Sequence, residues 1–513
     1  MLSPLTTYEL HAPRDLEIAQ LTDDSRAARR GSLFAALRGE KADGGRFLAD
    51  ALQNGAACAL CESTPDVDIP HILVPDARYA LALMAAVWYG NPADKMTVIG
   101  VTGTNGKTTT TYLLKQLLEK TLGAKVGLIG TNQNMLGGEV LPAERTTPDS
   151  LTLQSLLARM AEAGCTHAVM EVSSHALMQH RAAGITFDVA VFTNLTQDHL
   201  DYHGTMEAYC DAKARLLKQC RAAVVNGDSK WAERVLSGAR CPRLAFGQNL
   251  TNDLVGWRLR YENDRVRFTV SDEEEHLETY VPIPGDFSLY NALAALAVMK
   301  TLGVPLKAAA QALQGCEGVR GRCEVVPTDT DYTVLIDYAH TPDGLKNILE
   351  TVCSFAENRV LVVFGCGGDR DRTKRSRMGR IAAALADFVV VTSDNPRTEP
   401  PYLILHDVLD GMRGSRTPFA VLEDRREAIA YALDHAEKGD VVVLAGKGHE
   451  PCQIVGTKTY ALDERKVVCE YLERRRNQHE DSVGLHRELC GFGDRGAVPD
   501  PMASAAQGGA GDP

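Results

Sequence analysis

The sequence predicts an α/β protein built from about three domains. Strand-like and helix-like patterns alternate through most of the 513 residues, and this length exceeds what one hydrophobic core usually supports. The turn signal Gly90-Asn91-Pro92 and a glycine-flanked hinge at 315–321 divide the patterned regions. We therefore expect domains at 1–93, 94–316 and 317–476. From Asn477 the chain turns polar and then Gly/Ala/Pro-rich, so we expect a disordered tail at 477–513.

The individual elements follow from short apolar runs bounded by turn residues. In the small N-terminal α/β domain we predict strands at 56–61 and 71–74 and a helix at 78–89. The central domain should hold a mostly parallel sheet with helices on both faces, with strands at 97–101, 125–129, 167–172, 189–193 and 222–226, antiparallel strands within 254–279 and a helix at 288–302. The C-terminal domain should be Rossmann-like, with buried strands at 332–337, 359–364, 388–392 and 440–444.

Composition excludes several classes of function. The 55 basic and 67 acidic residues give a net charge of −12, which argues against nucleic acid as a partner because phosphate backbones need a basic surface. No stretch approaches the ~20 apolar residues of a membrane span, and the N-terminus lacks a signal-peptide pattern. The 13 cysteines have no paired metal spacing, so reduced thiols are expected. We expect a cytoplasmic monomer that acts on small molecules.

A glycine- and threonine-rich loop, GVTGTNGKTT at 100–109, lies between a predicted strand and a predicted helix. Its backbone N–H groups and the helix N-terminus can bind phosphates, Lys107 can reach the outer phosphates, and the Thr108 hydroxyl can ligate Mg²⁺. The generic P-loop pattern requires glycine where Val101 stands, so this is a variant P-loop. The residues expected to bind ATP here are Gly103, Thr104, Asn105, Gly106, Lys107, Thr108 and Thr109.

Polar motifs follow other predicted strands, where doubly wound sheets place their ligands. In the central domain these are MEVSSH at 170–175 and NLTQDHLDYH at 194–203. In the third domain GGDRD at 367–371, SDNPRT at 393–398 and GKGHE at 446–450 follow three strands. We expect each set to converge at the carboxyl edge of its sheet.

Together these motifs resemble the Mur ligase family over about 21–473, and within it the ligases that add the third amino acid of the peptidoglycan peptide. The resemblance implies that ATP phosphorylates the D-Glu carboxylate of UDP-MurNAc-L-Ala-D-Glu. The amine of an amino acid then attacks this acyl phosphate, and the tetrahedral intermediate loses phosphate. Since phosphorylation supplies the leaving group, the enzyme mainly positions the reactants and neutralises charge.

The resemblance also implies the catalytic set, which is Lys107, Glu171, His199 and Lys213. Glu171 and His199, with Thr108, would hold Mg²⁺. Lys213 would be carbamylated, as N6-carboxylysine, and would help to bind a second Mg²⁺. Further ATP contacts would be Asn291, Arg322 and Asp337. Because Arg322 and Asp337 belong to a different domain from the phosphate loop, the chemistry should require domain closure.

The contacts to the UDP-MurNAc-dipeptide that the resemblance implies are Asp23, Ser25, Glu40, Lys41, Ala42, Thr146, Thr147, Ser173, Gln179 and Arg181. Arg181 suits a carboxylate, since guanidinium is a fixed fork of donors. The sequence departs from the family pattern at Glu40, where histidine is common, and at Arg145, where asparagine is frequent.

The DNPR tetrad at 394–397 is the signature that the family associates with meso-2,6-diaminopimelate. Diaminopimelate has a distal carboxylate that lysine lacks. Arg397 can bind it in a bidentate pair while Glu450 takes the ammonium, and an arginine buried without that carboxylate would be costly. The contacts implied for this amino acid are Arg370, Asp394, Asn395, Pro396, Arg397, Gly446 and Glu450.

Four alternatives remain open at this stage. The same ligase could add L-lysine. A folylpolyglutamate synthase would share the second and third domains, but it lacks the DSR-containing first domain and DNPR. A P-loop ATPase switch would not need carboxylate-binding arginines in a third domain. An inactive precursor-binding homologue is disfavoured by the intact Lys107, Glu171, His199 and Lys213.

Overall fold

The structure, a computed structural model, describes residues 1–39 and 43–490, with side chains described up to Asn477 within its last helix. Three large β-sheets follow one another along the chain, and a two-stranded sheet accompanies the third. Helices cover these sheets as the alternating pattern predicts, so the α/β class is confirmed.

The first sheet has five strands in the order β1-β5-β4-β3-β2, and only β1 at its edge runs antiparallel to its neighbour. The strands are β1 Glu9–His11, β2 Gln20–Thr22, β3 Ser32–Ala35, β4 Ala56–Cys61 and β5 His71–Leu73. The helices are α1 Leu48–Gln53 and α2 Ala77–Trp88, with 3-10 turns at Ser25–Ala27, Gly44–Phe47 and Pro92–Lys95. The two predicted strands and the predicted helix are confirmed.

The second sheet has eleven strands in the order β16-β15-β14-β13-β12-β11-β6-β10-β7-β8-β9. They are β6 Thr97–Thr102, β7 Val126–Ile129, β8 Asn134–Leu136, β9 Glu139–Leu141, β10 His167–Glu171, β11 Phe187–Phe192, β12 Cys220–Asn226, β13 Arg243–Gly247, β14 Leu254–Tyr261, β15 Val266–Ser271 and β16 His276–Val281. The middle strands pair in parallel, whereas β14, β15 and β16 form the predicted antiparallel stretch.

Helices pack on both faces of this sheet: α3 Lys107–Leu122, α4 Ser150–Glu162, α5 Ser174–Met178, α6 Leu200–His203, α7 Met206–Leu217, α8 Ala232–Leu236, α9 Asp286–Thr301 and α10 Leu306–Gln314. Successive side chains of β6 pack against the helices on alternate faces of the sheet. Ile99 and Val101 join the core cluster that contains α3 and α9, and Val98 joins the cluster that contains α4 and α7.

The third sheet has six strands in the order β17-β18-β22-β19-β20-β21, all parallel except β17 at the edge. Its strands and the hairpin are β17 Glu324–Val326, β18 Thr333–Asp337, β19 Val360–Phe364, β20 Phe388–Val391, β21 Phe419–Val421, β22 Val441–Ala445, β23 Cys452–Val455 and β24 Lys458–Ala461. The helices are α11 Pro342–Cys353, α12 Thr373–Leu385, α13 Pro401–Met412, α14 Arg425–His435 and α15 Glu464–Cys490.

The last helix continues past the residue at which we expected the disordered tail to begin. We expected disorder from Asn477 because the chain turns polar there and then Gly/Ala/Pro-rich, but α15 continues through Asn477 and ends at Cys490, so the start of the predicted disordered tail was wrong. Residues 491–513 lie outside the described residues. Within the part of the chain that the structure describes, no helix combines the length and apolar composition needed to cross a bilayer.

The strand orders determine where the sequence motifs meet. β11, β6 and β10 are neighbours in the second sheet, so the loops that follow them lie side by side. β18, β22, β19 and β20 are likewise neighbours in the third sheet. Because parallel strands end at the same edge, each set of motifs is brought together as expected.

Candidate active site

The phosphate loop connects β6 to α3 and packs against the end of β11. Gly103 has φ of 152°, and a Cβ there would lie 1.9 Å from the Thr193 hydroxyl. The Thr104 amide donates to the Asn194 carbonyl at 2.9 Å. Only glycine fits such a close approach to the neighbouring strand. The loop is therefore fixed by the strand that leads into the NLTQDHLDYH motif.

The two predicted catalytic lysines donate hydrogen bonds to the same loop carbonyl. Lys107 Nζ donates to the Gly103 and Thr104 carbonyls at 3.0 and 2.9 Å, and Lys213 Nζ donates to the Gly103 carbonyl at 2.7 Å. Burial lowers the pKa of Lys107 and holds the pKa of Lys213 well below its usual value, and the Lys107 charge lowers the latter further. A lowered pKa gives a lysine a larger fraction of the neutral, nucleophilic amine.

Glu171 is fully buried at the end of β10 and faces the same loop. Its Oε1 accepts from the Thr131 amide at 2.8 Å and its Oε2 from the Thr131 hydroxyl at 3.0 Å. The Glu171 charge raises the pKa of Lys107 against the larger effect of burial. The carboxylate is therefore close enough to act on groups bound at the loop.

The donor chemistry beside the loop fits a magnesium–nucleotide complex. No group of three or more His, Cys, Asp or Glu side chains is arranged for a metal among the described residues. Mg²⁺ in nucleotide sites is usually held by one or two carboxylates and the substrate phosphates rather than by a complete protein cage. Glu171 and the buried Thr108 at the start of α3 provide that kind of partial site.

His199 lies in the left-handed region, with φ of 52°, and its side chain is 46% exposed. Its ring centroid is 4.8 Å from that of His175 and 6.1 Å from that of Tyr209. Tyr209 in turn lies under the Lys213 amine, which is 4.4 Å from the ring centroid. These contacts bring two of the predicted metal ligands, His199 and Lys213, next to the same tyrosine ring.

His203 also belongs to this cluster, although we predicted no role for it from the sequence. It stacks on Tyr209 at 4.9 Å, and its Nε2 shares a hydrogen bond of 2.9 Å with the Ser174 hydroxyl. Burial, and then the nearby His175, lower the pKa of His203 to about 4. The ring is therefore neutral at pH 7 and packs and hydrogen-bonds rather than adding charge. The signal was available, because His203 ends the DHLDYH motif.

The predicted dipeptide contacts of the central domain form one hydrogen-bonded network. Thr147 Oγ1 donates to the Glu171 carbonyl at 2.9 Å and accepts from the Ser173 amide at 3.0 Å. Arg181 donates to the Thr147 carbonyl at 2.8 Å and to Gln179 Oε1 at 2.7 Å. Within the same region, the Thr131 and Thr146 hydroxyls share a hydrogen bond of 3.1 Å. The structure thus connects all five predicted residues to Glu171 through one set of hydrogen bonds.

Two of the residues predicted in the first domain, Asp23 and Ser25, lie in the part of the chain that the structure describes. Ser25 is buried, and its carbonyl accepts from Asn54 Nδ2 at 3.0 Å. Burial raises the pKa of Asp23, and the negative charge of Asp149 raises it further. The same Asp149 raises the pKa of Arg181 against the effect of burial. Glu40, Lys41 and Ala42 lie outside the described residues.

Asn291 lies against the phosphate loop. A Cβ at Gly106, where φ is 84°, would lie 2.3 Å from Asn291 Oδ1, and that oxygen accepts from the Thr110 hydroxyl at 3.3 Å. Asn291 is 3% exposed, and its Nδ2 is buried without a hydrogen-bond partner. An unsatisfied donor beside a nucleotide loop is suited to a ligand acceptor.

The third domain reaches the loop through Arg322. The positive charge of Arg322 lowers the pKa of both Lys107 and Asp337, although burial raises the pKa of Asp337 overall. The Arg322 guanidinium lies 5.0 Å from the Tyr338 ring centroid, and Asp337 Oδ2 accepts from the Cys323 amide at 2.7 Å. The charge of Arg322 therefore acts on the phosphate-loop lysine, and Asp337 lies beside Arg322 in the third domain.

The DNPR and GKGHE segments interlock at the end of the third sheet. Asn395 Nδ2 donates to Glu450 Oε2 at 3.1 Å, and Asn395 Oδ1 accepts from Lys447 Nζ at 3.2 Å and from the Ile454 amide at 2.9 Å. Asp394 is buried, and its Oδ1 lies 3.6 Å from Lys447 Nζ. Three predicted residues, Asp394, Asn395 and Glu450, thus form one charged cluster with Lys447, which was not predicted.

Arg397 is held in a strained conformation between the GGDRD loop and the hairpin. Its φ is 52°, and its Nη1 donates to the Gly368 carbonyl at 2.9 Å and to the Asn395 carbonyl at 3.4 Å. The Arg397 amide donates to the Ile454 carbonyl at 3.1 Å. A strained residue kept by several contacts is typical of a functional position.

The remaining members of the predicted amino-acid set surround this arginine. The Pro396 carbonyl packs on Gly368, where an added Cβ would lie 1.9 Å away. Arg370 is exposed on the GGDRD loop, and the Gly446 amide donates to the Asp337 carbonyl at 3.0 Å. All seven residues therefore lie at one edge of the third sheet.

Two buried arginines that the sequence did not single out hold these loops. Arg375 donates to Glu399 and Asp407, both at 2.9 Å, and Arg425 donates to Glu464 at 2.7 Å and to the Ala445 carbonyl at 2.8 Å. Neither arginine lies in a glycine-rich or strand-end motif, so the sequence carries no local signal for them.

Comparison with known proteins agrees with this geometry. Three family models match successive parts of the chain: the Mur ligase family catalytic domain at 17–92, the Mur ligase middle domain at 101–299 and the Mur ligase glutamate ligase domain at 321–448. These three matches follow the order of the three sheets.

Individual relatives cover nearly the whole chain. A protein of Caldanaerobacter subterraneus subsp. tengcongensis named UDP-N-acetylmuramoyl-L-alanyl-D-glutamate–2,6-diaminopimelate ligase is 44% identical over 470 residues, which is 91% of this chain and 97% of the relative. A relative of the same name from Gloeobacter violaceus is 47% identical over 478 residues, which is 90% of this chain and 96% of the relative.

Solved structures show the same architecture. A structure titled with the same ligase name superposes with a TM-score of 0.67 at 34% identity, covering 90% of this chain and 95% of the other. A folylpolyglutamate synthase from Thermotoga maritima shares the fold at 18% identity, with a TM-score of 0.57 over 72% of this chain and 89% of the other. On the family models, the near full-length identity and the loop geometry, this chain belongs to the Mur ligase family of ATP-dependent ligases.

Proposed function

We propose that this chain joins meso-2,6-diaminopimelate to the D-Glu carboxylate of UDP-MurNAc-L-Ala-D-Glu, at the expense of ATP. The products are the UDP-MurNAc-tripeptide of peptidoglycan synthesis, ADP and phosphate. The observation that carries the proposal is the cluster of Asn395, Arg397 and Glu450 at the edge of the third sheet. The names of the relatives from two organisms support the same substrates.

The proposed first step transfers the γ-phosphoryl group of ATP to the D-Glu carboxylate. The N–H groups of the phosphate loop and Lys107 neutralise the charge of the phosphates, and Arg322 adds a second cation from the third domain. Fixed positive groups in a partly buried site stabilise the charge that develops during phosphoryl transfer. Arg181, hydrogen-bonded to Thr147 beside Glu171, is suited to orient the dipeptide.

In the second step the amine of diaminopimelate attacks the acyl phosphate carbon. The C–N bond forms, the amine loses a proton, and the C–O bond to phosphate breaks. Holding the amine close to the carbonyl accelerates this step by proximity. We propose that the distal ammonium and carboxylate of diaminopimelate bind in the third-domain cluster while its reacting amine points towards the acyl phosphate.

Magnesium supplies charge neutralisation at the phosphates when it is bound. Glu171, Thr108 and His199 are the residues proposed to hold it. The proposed second ion depends on carbamylation of Lys213, in which the neutral amine adds to carbon dioxide and loses a proton. Burial favours the neutral amine that this reaction needs. Incorporation of isotope-labelled bicarbonate into the wild type, and none into Lys213→Met, is the expected result by mass spectrometry.

The preference for diaminopimelate over lysine rests on the charge at the distal end. Arg397 is held by the Gly368 and Asn395 carbonyls through one of its nitrogens, which leaves its other donors for a ligand carboxylate. L-lysine has no carboxylate at that end, so it would leave the arginine unpaired. We also propose a monomer in the cytoplasm, since one chain carries every residue named here and ATP and UDP-linked precursors are made there.

The test is an assay of phosphate release with UDP-MurNAc-L-Ala-D-Glu and ATP, with diaminopimelate, lysine and ornithine supplied in parallel. We expect release that depends on diaminopimelate and a product whose mass equals that of the tripeptide. Lysine-dependent release at a similar rate would contradict the proposed amino acid. Phosphate release that needs no amine would contradict the ligase reaction as a whole.

A further inference from the structure

Lys447 is a fully buried lysine in the middle of the proposed amino-acid site. It follows β22, the strand between β18 and β19, and its side chain has no exposed area. Its Nζ lies 3.1 Å from Glu450 Oε2, 3.2 Å from Asn395 Oδ1 and 3.6 Å from Asp394 Oδ1. Burying a charged lysine away from solvent costs free energy unless neighbouring groups compensate its charge. The three partners of Lys447 therefore indicate its role.

The two carboxylate oxygens of Glu450 have different hydrogen-bond partners, and Lys447 contacts only one of them. Oε2 accepts from Lys447 Nζ and from Asn395 Nδ2, both at 3.1 Å. Oε1 has a longer contact, with the Tyr338 hydroxyl at 3.4 Å. Because Oε2 is saturated by two donors, Oε1 is the oxygen able to accept a strong hydrogen bond from a ligand ammonium.

The charges around Lys447 favour a cationic ligand group. Asp394 and Glu450 supply two negative charges and Lys447 one positive charge, which leaves a net negative charge in a site of low exposure. The adjacent Arg425 and Glu464 are both fully buried and neutralise each other. Without Lys447 the two carboxylates would lose the cation that contacts both of them, and Glu450 would lose one of the two donors that hold its Oε2.

We infer that Lys447 is a positioning residue that fixes Glu450 and sets the charge of the site for the ammonium group of the incoming amino acid. This inference rests on the proposed diaminopimelate ligase activity. Lys447 acts through Glu450 and does not itself contact the amino acid. It determines how tightly the ammonium end is held, separately from the carboxylate end at Arg397.

The experiment measures KM for diaminopimelate, ATP and UDP-MurNAc-L-Ala-D-Glu in wild type, Lys447→Met, Glu450→Gln and the double variant. We expect Lys447→Met to raise KM for diaminopimelate about tenfold or more, with the other two KM values within about twofold of wild type. The double variant should be no worse than Glu450→Gln alone, because both changes remove one interaction. Lys447→Gln, which keeps a donor without the charge, provides the same comparison if Lys447→Met does not fold.

Lys115→Met is the matched control, since Lys115 is also buried and paired with a glutamate, Glu119, but lies on α3 away from the amino-acid cluster. It should leave KM for diaminopimelate unchanged. Three results would each overturn the role of Lys447 alone. The first is an unchanged KM for diaminopimelate in Lys447→Met, and the second is an equal rise in KM for all three substrates in that variant. The third is a double variant whose KM for diaminopimelate shows the product of the two single effects. A wild type without diaminopimelate-dependent product would overturn the proposed function, and this inference with it.

Discussion

Arg397 shows how one side chain can decide which amino acid is used. Its backbone is strained and its guanidinium is held by two carbonyls, so its position does not depend on a ligand. We expect Arg397→Ala to lower kcat/KM for diaminopimelate by roughly 30-fold or more, since a charged pair of low exposure is lost. KM for UDP-MurNAc-L-Ala-D-Glu should stay near the wild-type value, as steady-state kinetics with each substrate varied would measure.

Arg380→Ala provides the control for that variant, because Arg380 is an exposed arginine on α12 of the same domain. It should leave all kinetic constants unchanged. Equal losses of affinity for diaminopimelate and for the UDP-linked substrate in Arg397→Ala would contradict the assignment.

At the scale of single elements, the phosphate loop depends on its contact with the end of β11. Gly103→Ala would drive a methyl group into the Thr193 hydroxyl and force a φ of 152° on alanine. We expect ATP affinity to fall at least about tenfold, because the loop must move away from its phosphate-binding shape. Isothermal titration calorimetry with ATP measures this directly.

Gly138→Ala is the matched control in the turn between β8 and β9, where a Cβ would meet nothing within 4 Å. It should bind ATP as the wild type does. Normal ATP affinity in Gly103→Ala would mean that the contact between the loop and β11 is unimportant.

The connection between β12 and α9 depends on one carboxylate. Asp228 accepts from the Gln248 amide at 2.6 Å, the Asn249 amide at 3.1 Å and the Tyr290 hydroxyl at 3.1 Å. Burial alone would raise the pKa of Asp228, but these hydrogen bonds together hold it below its usual value of 3.8. The carboxylate therefore stabilises the fold above about pH 4, and this stabilisation is lost as the pH falls through the lowered pKa.

We expect Asp228→Asn to lower the free energy of unfolding by about 1–3 kcal/mol at pH 7, because the amide cannot accept all these bonds. The difference from wild type should shrink below about pH 4. Urea denaturation at both pH values provides the measurement, and Asp15→Asn at an exposed position is the control. A difference that persists unchanged in acid would show that the charge of Asp228 is not what stabilises this connection.

The length of an element affected how readily the sequence predicted it. Long buried strands such as β6 and β19 were predicted from apolar runs. Among the three-residue strands β5 was predicted, but β1, β8 and β17 were not, because so short a run shows no clear period. Motifs at strand ends located Glu171 and Arg397 in the candidate site. Lys447 lies in the GKGHE motif, but its contacts with Asp394 and Asn395 join residues about fifty positions apart, as do the ion pairs of Arg375 at shorter separation, and one sequence does not reveal such contacts.

At the scale of the whole molecule, the first and third domains both contribute charge to the central one. Arg322 of the third domain lowers the pKa of Lys107, and Arg78 of the first domain lowers the pKa of Arg181, each in addition to the larger effect of burial. The phosphate loop alone therefore holds only part of the positive charge that the reaction requires. Activity should depend on contacts between domains as much as on contacts within them.

We expect Arg322→Met to reduce kcat by about 100-fold, because one fixed cation near the transferred phosphoryl group is removed. Binding of UDP-MurNAc-L-Ala-D-Glu, measured by calorimetry, should be unchanged. Arg474→Met, at an exposed position on α15, is the control and should keep full activity. Wild-type turnover in Arg322→Met would indicate that the third domain contributes no charge to phosphoryl transfer.

The two buried arginines beneath the amino-acid site have a consequence for protein engineering. Arg375 and Arg425 hold the loops through backbone carbonyls and through acidic residues outside the DNPR segment. The support of the loops is therefore separate from the side chains that select the amino acid. We expect that segment 394–397 can be exchanged as one unit, together with Lys447 and Glu450. Ligases for other diamines could then be built on this fold without changing the residues that support the loops.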